Sequence, residues 1–175
     1  MELFDAIALR HSYRGAFTPQ PIPEADLLKI AEAGVRAPSG CNKQTTHICI
    51  VNDPELLKAY AKLLPRTVVQ TAQAIFVIVT DNRLANGFDS FEKQDYGAAV
   101  ENMLLAITAL GYATVWLDGV LRREGIADAI AGLIGLKDRE HLTVSVILPV
   151  GVPETAEAQH ERLPLEERVI WNRLG

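Results

Sequence analysis

Cysteine is scarce in this sequence: Cys41 and Cys49 are the only two. That leaves no disulfide framework and no CxxC zinc pattern, and a reducing compartment fits best. Positive charge is in the minority, with 17 Lys and Arg against 22 Asp and Glu and a net charge of −5, which disfavours non-specific nucleic-acid binding. Long apolar runs are missing too. The strongly apolar stretch at residues 75–79 is far below the ~20 residues that span a bilayer. The opening Met1-Glu2-Leu3-Phe4-Asp5 carries acid and no basic leader region. A soluble, cytoplasmic protein that uses neither membrane nor nucleic acid is expected. The chain also shows no internal repeat, no low-complexity tract and no GxGxxG dinucleotide fingerprint.

What is present is ordinary globular composition. Of 175 residues, 49% are apolar and 22% charged, which suits one domain over 1–175 with a sizeable core. Leu3, Phe4, Ile7 and Ala8 recur at helical spacing and stop at His11-Ser12. After Pro21-Ile22-Pro23, the residues Leu27, Leu28, Ala31 and Val35 mark a second helix. Thr46 to Val51 reads as a strand. Asp53-Pro54 supplies an N-cap and a first-turn proline for a helix to Leu64. Residues 75–80 form a continuous β-branched and aromatic run, as in a strand covered on both faces, and 81–90 read as polar loop. From Asp95 to Leu110 the apolar positions cover more than one stripe, so burial in a central layer or a subunit interface is expected. Residues 112–117 read as a strand, 126–134 as a helix and 142–150 as a last core strand. The alternation points to an α/β or α+β domain. Residues 152–175 are charged, yet contain Val169, Ile170 and Trp171, an apolar cluster that needs something to pack on.

Three clusters can carry chemistry. Arg10-His11-Ser12-Tyr13-Arg14 places two guanidinium forks around a hydroxyl, a donor set that matches phosphate oxygens; a solvated basic turn is the plainer alternative. Residues 37–44, Ala-Pro-Ser-Gly-Cys-Asn-Lys-Gln, carry amides able to read a heterocycle edge and, at Gly40, a backbone open to close approach by a flat ligand; an ordinary turn would look similar. Trp116-Leu117-Asp118-Gly119 ends a strand with an acid and free backbone N–H groups, facing a crevice or simply a turn. No base is positioned beside either cysteine, and His11, His47, His141 and His160 read as surface or packing residues rather than catalytic acids.

The order and spacing of these blocks resemble the FMN-dependent nitroreductase family over nearly the whole chain. The shared features are Arg-x-Ser-x-Arg at 10–14, Ala-Pro-Ser-x-x-Asn-x-Gln at 37–44, the helix from Asp95-Tyr96-Gly97 through Asn102 to Gly111 and Trp116, and Arg-Leu-Pro-Leu-Glu-Glu from Arg162. The resemblance implies an α+β sandwich: a central mixed sheet flanked by helices, in an intertwined homodimer with FMN at the subunit interface and residues 152–175 packed on the partner. Arg10 and Ser12 then match the phosphate and ribityl contacts, with His11 in the same segment. Arg14 matches the base near flavin N1 and O2. Pro38, Ser39, Gly40 and Asn42 match the loop laid down by the other subunit, Asp118 and Gly119 the pair facing N5, and His160 and Arg162 the late basic residues at the phosphate. His160 stands where the family often has Lys, and Thr45 where a proline often follows the glutamine. Arg66 and Gln70 are both open as readers of the pyrimidine edge, and the short linker at 81–94 leaves the lid undefined.

The implied activity is oxidation of NAD(P)H with ping-pong transfer through FMN to a nitroaromatic, quinone or enone. No protein nucleophile or metal is required, because the flavin carries the hard chemistry. Other flavin chemistry, such as reductive dehalogenation or flavin fragmentation, and non-catalytic flavin binding remain alternatives.

Overall fold

The computed structural model describes residues 1–83, 87 and 89–174; the part of the 81–90 loop at 84–86 and 88 lies outside the described residues. The named elements run α1 (Leu3–Leu9), α2 (Glu24–Val35), β1 (Thr46–Val51), α3 (Pro54–Leu63), α4 (Thr67–Gln70), β2 (Ala74–Asp81), α5 (Glu92–Ala109), β3 (Ala113–Thr114), α6 (Ile126–Leu133) and β4 (Leu142–Gly151). Together they form an α+β sandwich, as expected.

The strands make one sheet in the order β1-β2-β4-β3. Every pairing in it is antiparallel, which corrects the expected mixed sheet. Helix–strand alternation suggests parallel crossovers, but here α3 is followed by α4, a helix the sequence reading did not anticipate. The pair returns the chain to the end of the sheet it left, so that Val51 faces Ile75.

Strand β2 is buried along its whole length, and its alternation feeds two cores. Ile75, Val77 and Val79 pack with Tyr13, Phe17, Tyr60 and Ile130 on the face covered by α3, α4 and α6. Ala74, Phe76 and Ile78 pack with Leu27, Ile30, Val100, Met103 and Ile107 of α2 and α5 on the other. The larger of these side chains contribute about 1.5–3 kcal/mol each on burial, which is why a run with no polar alternation is stable in a strand covered on both faces. Helix α5 accordingly carries apolar residues around much of its circumference, and Val100, Met103 and Ile107 are fully buried.

Asp53 caps α3 as its position before Pro54 implies, accepting from the N–H groups of Glu55 and Leu56, both at 2.9 Å. The strand expected at 112–117 is much shorter. Only Ala113 and Thr114 pair continuously with Gly151 and Val150, and contact resumes at the bridge Leu117 to Ile147. In that register Val115 stands opposite Pro149, which has no N–H to give, so the ladder breaks there.

The segment after β4 begins on its own chain. Phe17 bridges Pro153, and the Glu154 N–H donates to the Ala16 carbonyl at 3.0 Å. Beyond Gln159 the described residues are exposed, Trp171 by 87%. Among the described residues no helix is long and apolar enough to cross a membrane.

Candidate functional site

The basic segment is fixed by its one buried member. After α1 the chain is extended, the Tyr13 N–H donates to the Thr114 carbonyl at 2.9 Å, and the fully buried Tyr13 ring packs on Phe17 with centroids 5.3 Å apart. Because side chains alternate along extended backbone, seating Tyr13 in the core turns Ser12 and Arg14 the other way. Arg14 is exposed, and its guanidinium donates to the Ser12 carbonyl at 3.1 Å. Arg10 is only 18% exposed, with Nε 3.4 Å from the Glu101 carboxylate of α5. His11 Nδ1 lies 3.0 Å from the Leu9 carbonyl, while its Nε2 is buried with no hydrogen-bond partner.

The late basic residues come back to this segment. Gln159 Nε2 donates to the Arg10 carbonyl at 2.6 Å across a separation of 149 residues. His160 and Arg162 follow Gln159 by one and three residues, so their Cα atoms lie within ~11 Å of its own. Both are exposed. The segment itself gathers two guanidiniums, a hydroxyl and an imidazole at the β3 edge, and one nitrogen of that imidazole is buried without a partner. This donor set fits a phosphate monoester.

Asp118 and Gly119 follow at the same edge, immediately after the Leu117 bridge. Asp118 pairs with Arg122 at 3.0 Å, and a Cβ at Gly119 would meet nothing within 4 Å, so its backbone borders open space. Asp118 also lines a cleft of about 560 Å³ with Thr80, Tyr96 and Ser145. Ser145 is the extra residue of a β-bulge, its hydroxyl 2.7 Å from that of Thr80.

The loop at 38–44 lies elsewhere. It leads into β1, the opposite edge strand, three interstrand spacings or ~14 Å across the sheet. Gly40 gives its N–H to the Asp95 carboxylate at 2.8 Å, and the Thr45 hydroxyl donates to the other oxygen at 2.6 Å. A Cβ at Gly40 would stand 2.4 Å from the Phe91 ring, so the close approach expected there is made by a side chain of the same chain. Cys41, Asn42 and Gln44 all have φ near +50°, and the Gln44 N–H donates to the Ser39 hydroxyl at 3.0 Å.

The structure thus sets Arg10, His11, Ser12, Arg14, Asp118 and Gly119 at one edge, with exposed His160 and Arg162 following the Gln159 contact there, and sets Pro38, Ser39, Gly40 and Asn42 at the other. Gln70 and Arg66 are exposed in the α4 segment. Thr71 follows them, and its hydroxyl accepts from the Phe17 N–H at 3.0 Å, which keeps that segment beside the basic one. Sequence reasoning gave no role to Asp95, Gln159 or Phe91; for Asp95 the available signal was its place in the Asp95-Tyr96-Gly97 block in the first turn of α5. Burial pushes the Cys49 thiol and the Tyr60 phenol up, so neither offers a nucleophile.

Comparison with known proteins gives a consistent result. The profile of the nitroreductase family matches residues 7–75 and 62–152. An Archaeoglobus fulgidus protein named "Putative NADH dehydrogenase/NAD(P)H nitroreductase" is 32% identical over 166 residues, covering 91% of this chain and 90% of that protein. Among solved structures, a "putative nitroreductase in complex with FMN" from Desulfovibrio desulfuricans is 27% identical, with TM-score 0.79 over 100% of this chain and 99% of that one. The NADPH:FMN oxidoreductase of Vibrio harveyi, solved with NAD+, has TM-score 0.82 and 24% identity, covering 99% of this chain and 78% of that one, and shares the fold.

Proposed function

The chain belongs to the nitroreductase family, and from that premise we propose that it is an NAD(P)H-dependent oxidoreductase that binds FMN and passes electrons to an electron-poor small molecule, a nitroaromatic, quinone or enone, by a ping-pong route. The observation that carries the reading is the basic segment at 10–14 with Gln159 fastening the tail beside it, a phosphate-shaped donor set in an otherwise acidic protein.

When bound, FMN supplies the two-electron carrier. The chain's own residues bind and tune. Arg10, His160 and Arg162 hold the phosphate, His11 and Ser12 extend that cradle toward the ribityl chain, and Arg14 keeps a cation where the ring gains negative charge. The Gly119 backbone, with Asp118 fixed by Arg122, borders the reacting edge. Arg66 or Gln70 reads the pyrimidine edge.

The second copy is part of this proposal. Residues 38–42 stand at the opposite edge of the sheet from Arg10, a separation that favours a flavin shared between the Arg10 segment of one chain and the loop of a partner. Exposed Phe4, at 81%, and Trp171, at 87%, are the apolar surface such a partner would cover. We place the homodimer in the cytoplasm.

The test is the visible spectrum of the purified protein, with the released cofactor identified by mass, followed by NADH and NADPH oxidation against a panel of the three acceptor classes. A yellow protein that releases FMN and turns over is expected. A colourless protein that binds no added FMN, or a loaded one that oxidises neither nucleotide, overturns the proposal.

A further inference from the structure

Asp95 has no part in the donor set just described, yet it is among the most deeply buried charged side chains, at 4% exposure. Its two oxygens take two hydrogen bonds that both come from the loop entering β1, the Gly40 N–H and the Thr45 hydroxyl. Between those anchors lie Cys41, Asn42 and Gln44 in the left-handed region, a conformation costing roughly 1–2 kcal/mol per non-glycine residue. Three such residues in a four-residue span do not hold their shape unaided; strained backbone persists only where its surroundings over-determine it.

The surroundings here are specific. The Phe91 ring fills the space that a Cβ at Gly40 would need, Ser39 closes the loop on the Gln44 N–H, and Asp95 pins both ends to the first turn of α5, where the helix dipole favours a carboxylate. The same helix holds Arg10 through Glu101. Six residues along α5 correspond to about 9 Å and a rotation of roughly 240°. One rigid rod therefore sets the loop on one side and the phosphate arginine on another.

We infer that Asp95 is a positioning residue: it holds residues 39–44 in the one conformation that presents Ser39 and Asn42 to the flavin of a partner chain. The inference rests on the functional reading above. Removing the carboxylate releases the loop without touching the phosphate donors, so the loss appears as weakened flavin retention at the partner's site rather than at the chain's own.

Flavin fluorescence titration of apoprotein tests it. Asp95→Ala is expected to weaken FMN binding by about tenfold or more, the cost of leaving a buried donor unpaired. Asp95→Asn, which keeps an acceptor for Gly40, recovers most of the affinity. Should Asp95→Ala fail to fold, the isosteric Thr45→Val frees one carboxylate oxygen and is expected to cost about threefold to tenfold. The discriminating measurement is a mixed dimer purified through two tags, one chain Arg10→Ala and the other Asp95→Ala. If the loop serves the partner, both lesions fall in one site, and the dimer keeps one flavin bound with wild-type affinity. Two equally weakened sites, as general destabilisation would give, overturn the inference. So does an Asp95→Ala homodimer that binds FMN like wild type. A wild-type chain that binds no FMN overturns the functional reading itself, and is seen before any variant is made.

Discussion

Arg10 is held from two directions, by the Glu101 carboxylate at 3.4 Å on its side chain and by Gln159 at 2.6 Å on its carbonyl. Replacing it by Ala should weaken FMN binding by about 1.5–3 kcal/mol, the scale of a hydrogen bond to a charged group, in the same titration. Glu101→Gln should act in the same sense but more weakly. Glu101 is half exposed, at 51%, so loosening its hold on Arg10 should weaken binding by about twofold to fivefold, within the range of a surface pair. Arg14 belongs to a different part of the problem. A cation near the ring stabilises the reduced form more than the oxidised one, and only a difference of that kind shifts a potential. For a differential of about 1–2 kcal/mol, Arg14→Gln should lower the two-electron midpoint by roughly 20–45 mV, with a smaller change in affinity for oxidised FMN. Spectroelectrochemistry decides. An unmoved midpoint with collapsed affinity would place Arg14 at the phosphate.

Elements were legible in the sequence where one local rule dominates. Thr46–Val51 and the Asp53-Pro54 start of α3 were read at their observed positions, because alternation and capping act within a few residues. The broken strand at Ala113–Thr114 was not, since its length is set by Pro149, more than thirty residues away in sequence. Nor was α4, whose four residues are too few for any periodicity. The candidate site divides the same way. The Arg10–Arg14 donor set was visible as a motif, whereas Asp95 and Gln159 act through contacts that no local pattern encodes. The cap gives a clean control: Asp53→Ala should cost about 0.5–2 kcal/mol of stability in denaturant unfolding and leave FMN affinity unchanged, because its hydrogen bonds go only to the first turn of α3.

At the scale of the whole molecule, the exposed apolar residues of α1 and of the tail, among them Leu3, Phe4, Leu165 and Ile170, are more than a lone chain leaves in water without cause. If they meet across a two-fold axis, deleting 164–175 should lower dimer stability and flavin retention together. Sedimentation of the truncated protein checks this, and a monomer that keeps its FMN would refute the shared site.

The strap of residues 152–159 has a consequence for biosynthesis. Phe17 waits for Pro153, and Arg10 waits for Gln159, so the segment at 10–17 finds its fixed place only once residues up to 149 positions further along have been made. Contacts this distant in sequence slow folding, because the whole intervening loop must close before they reward the chain. The proposed phosphate cradle is therefore complete only when residues 153–159 have docked on the segment at 10–17.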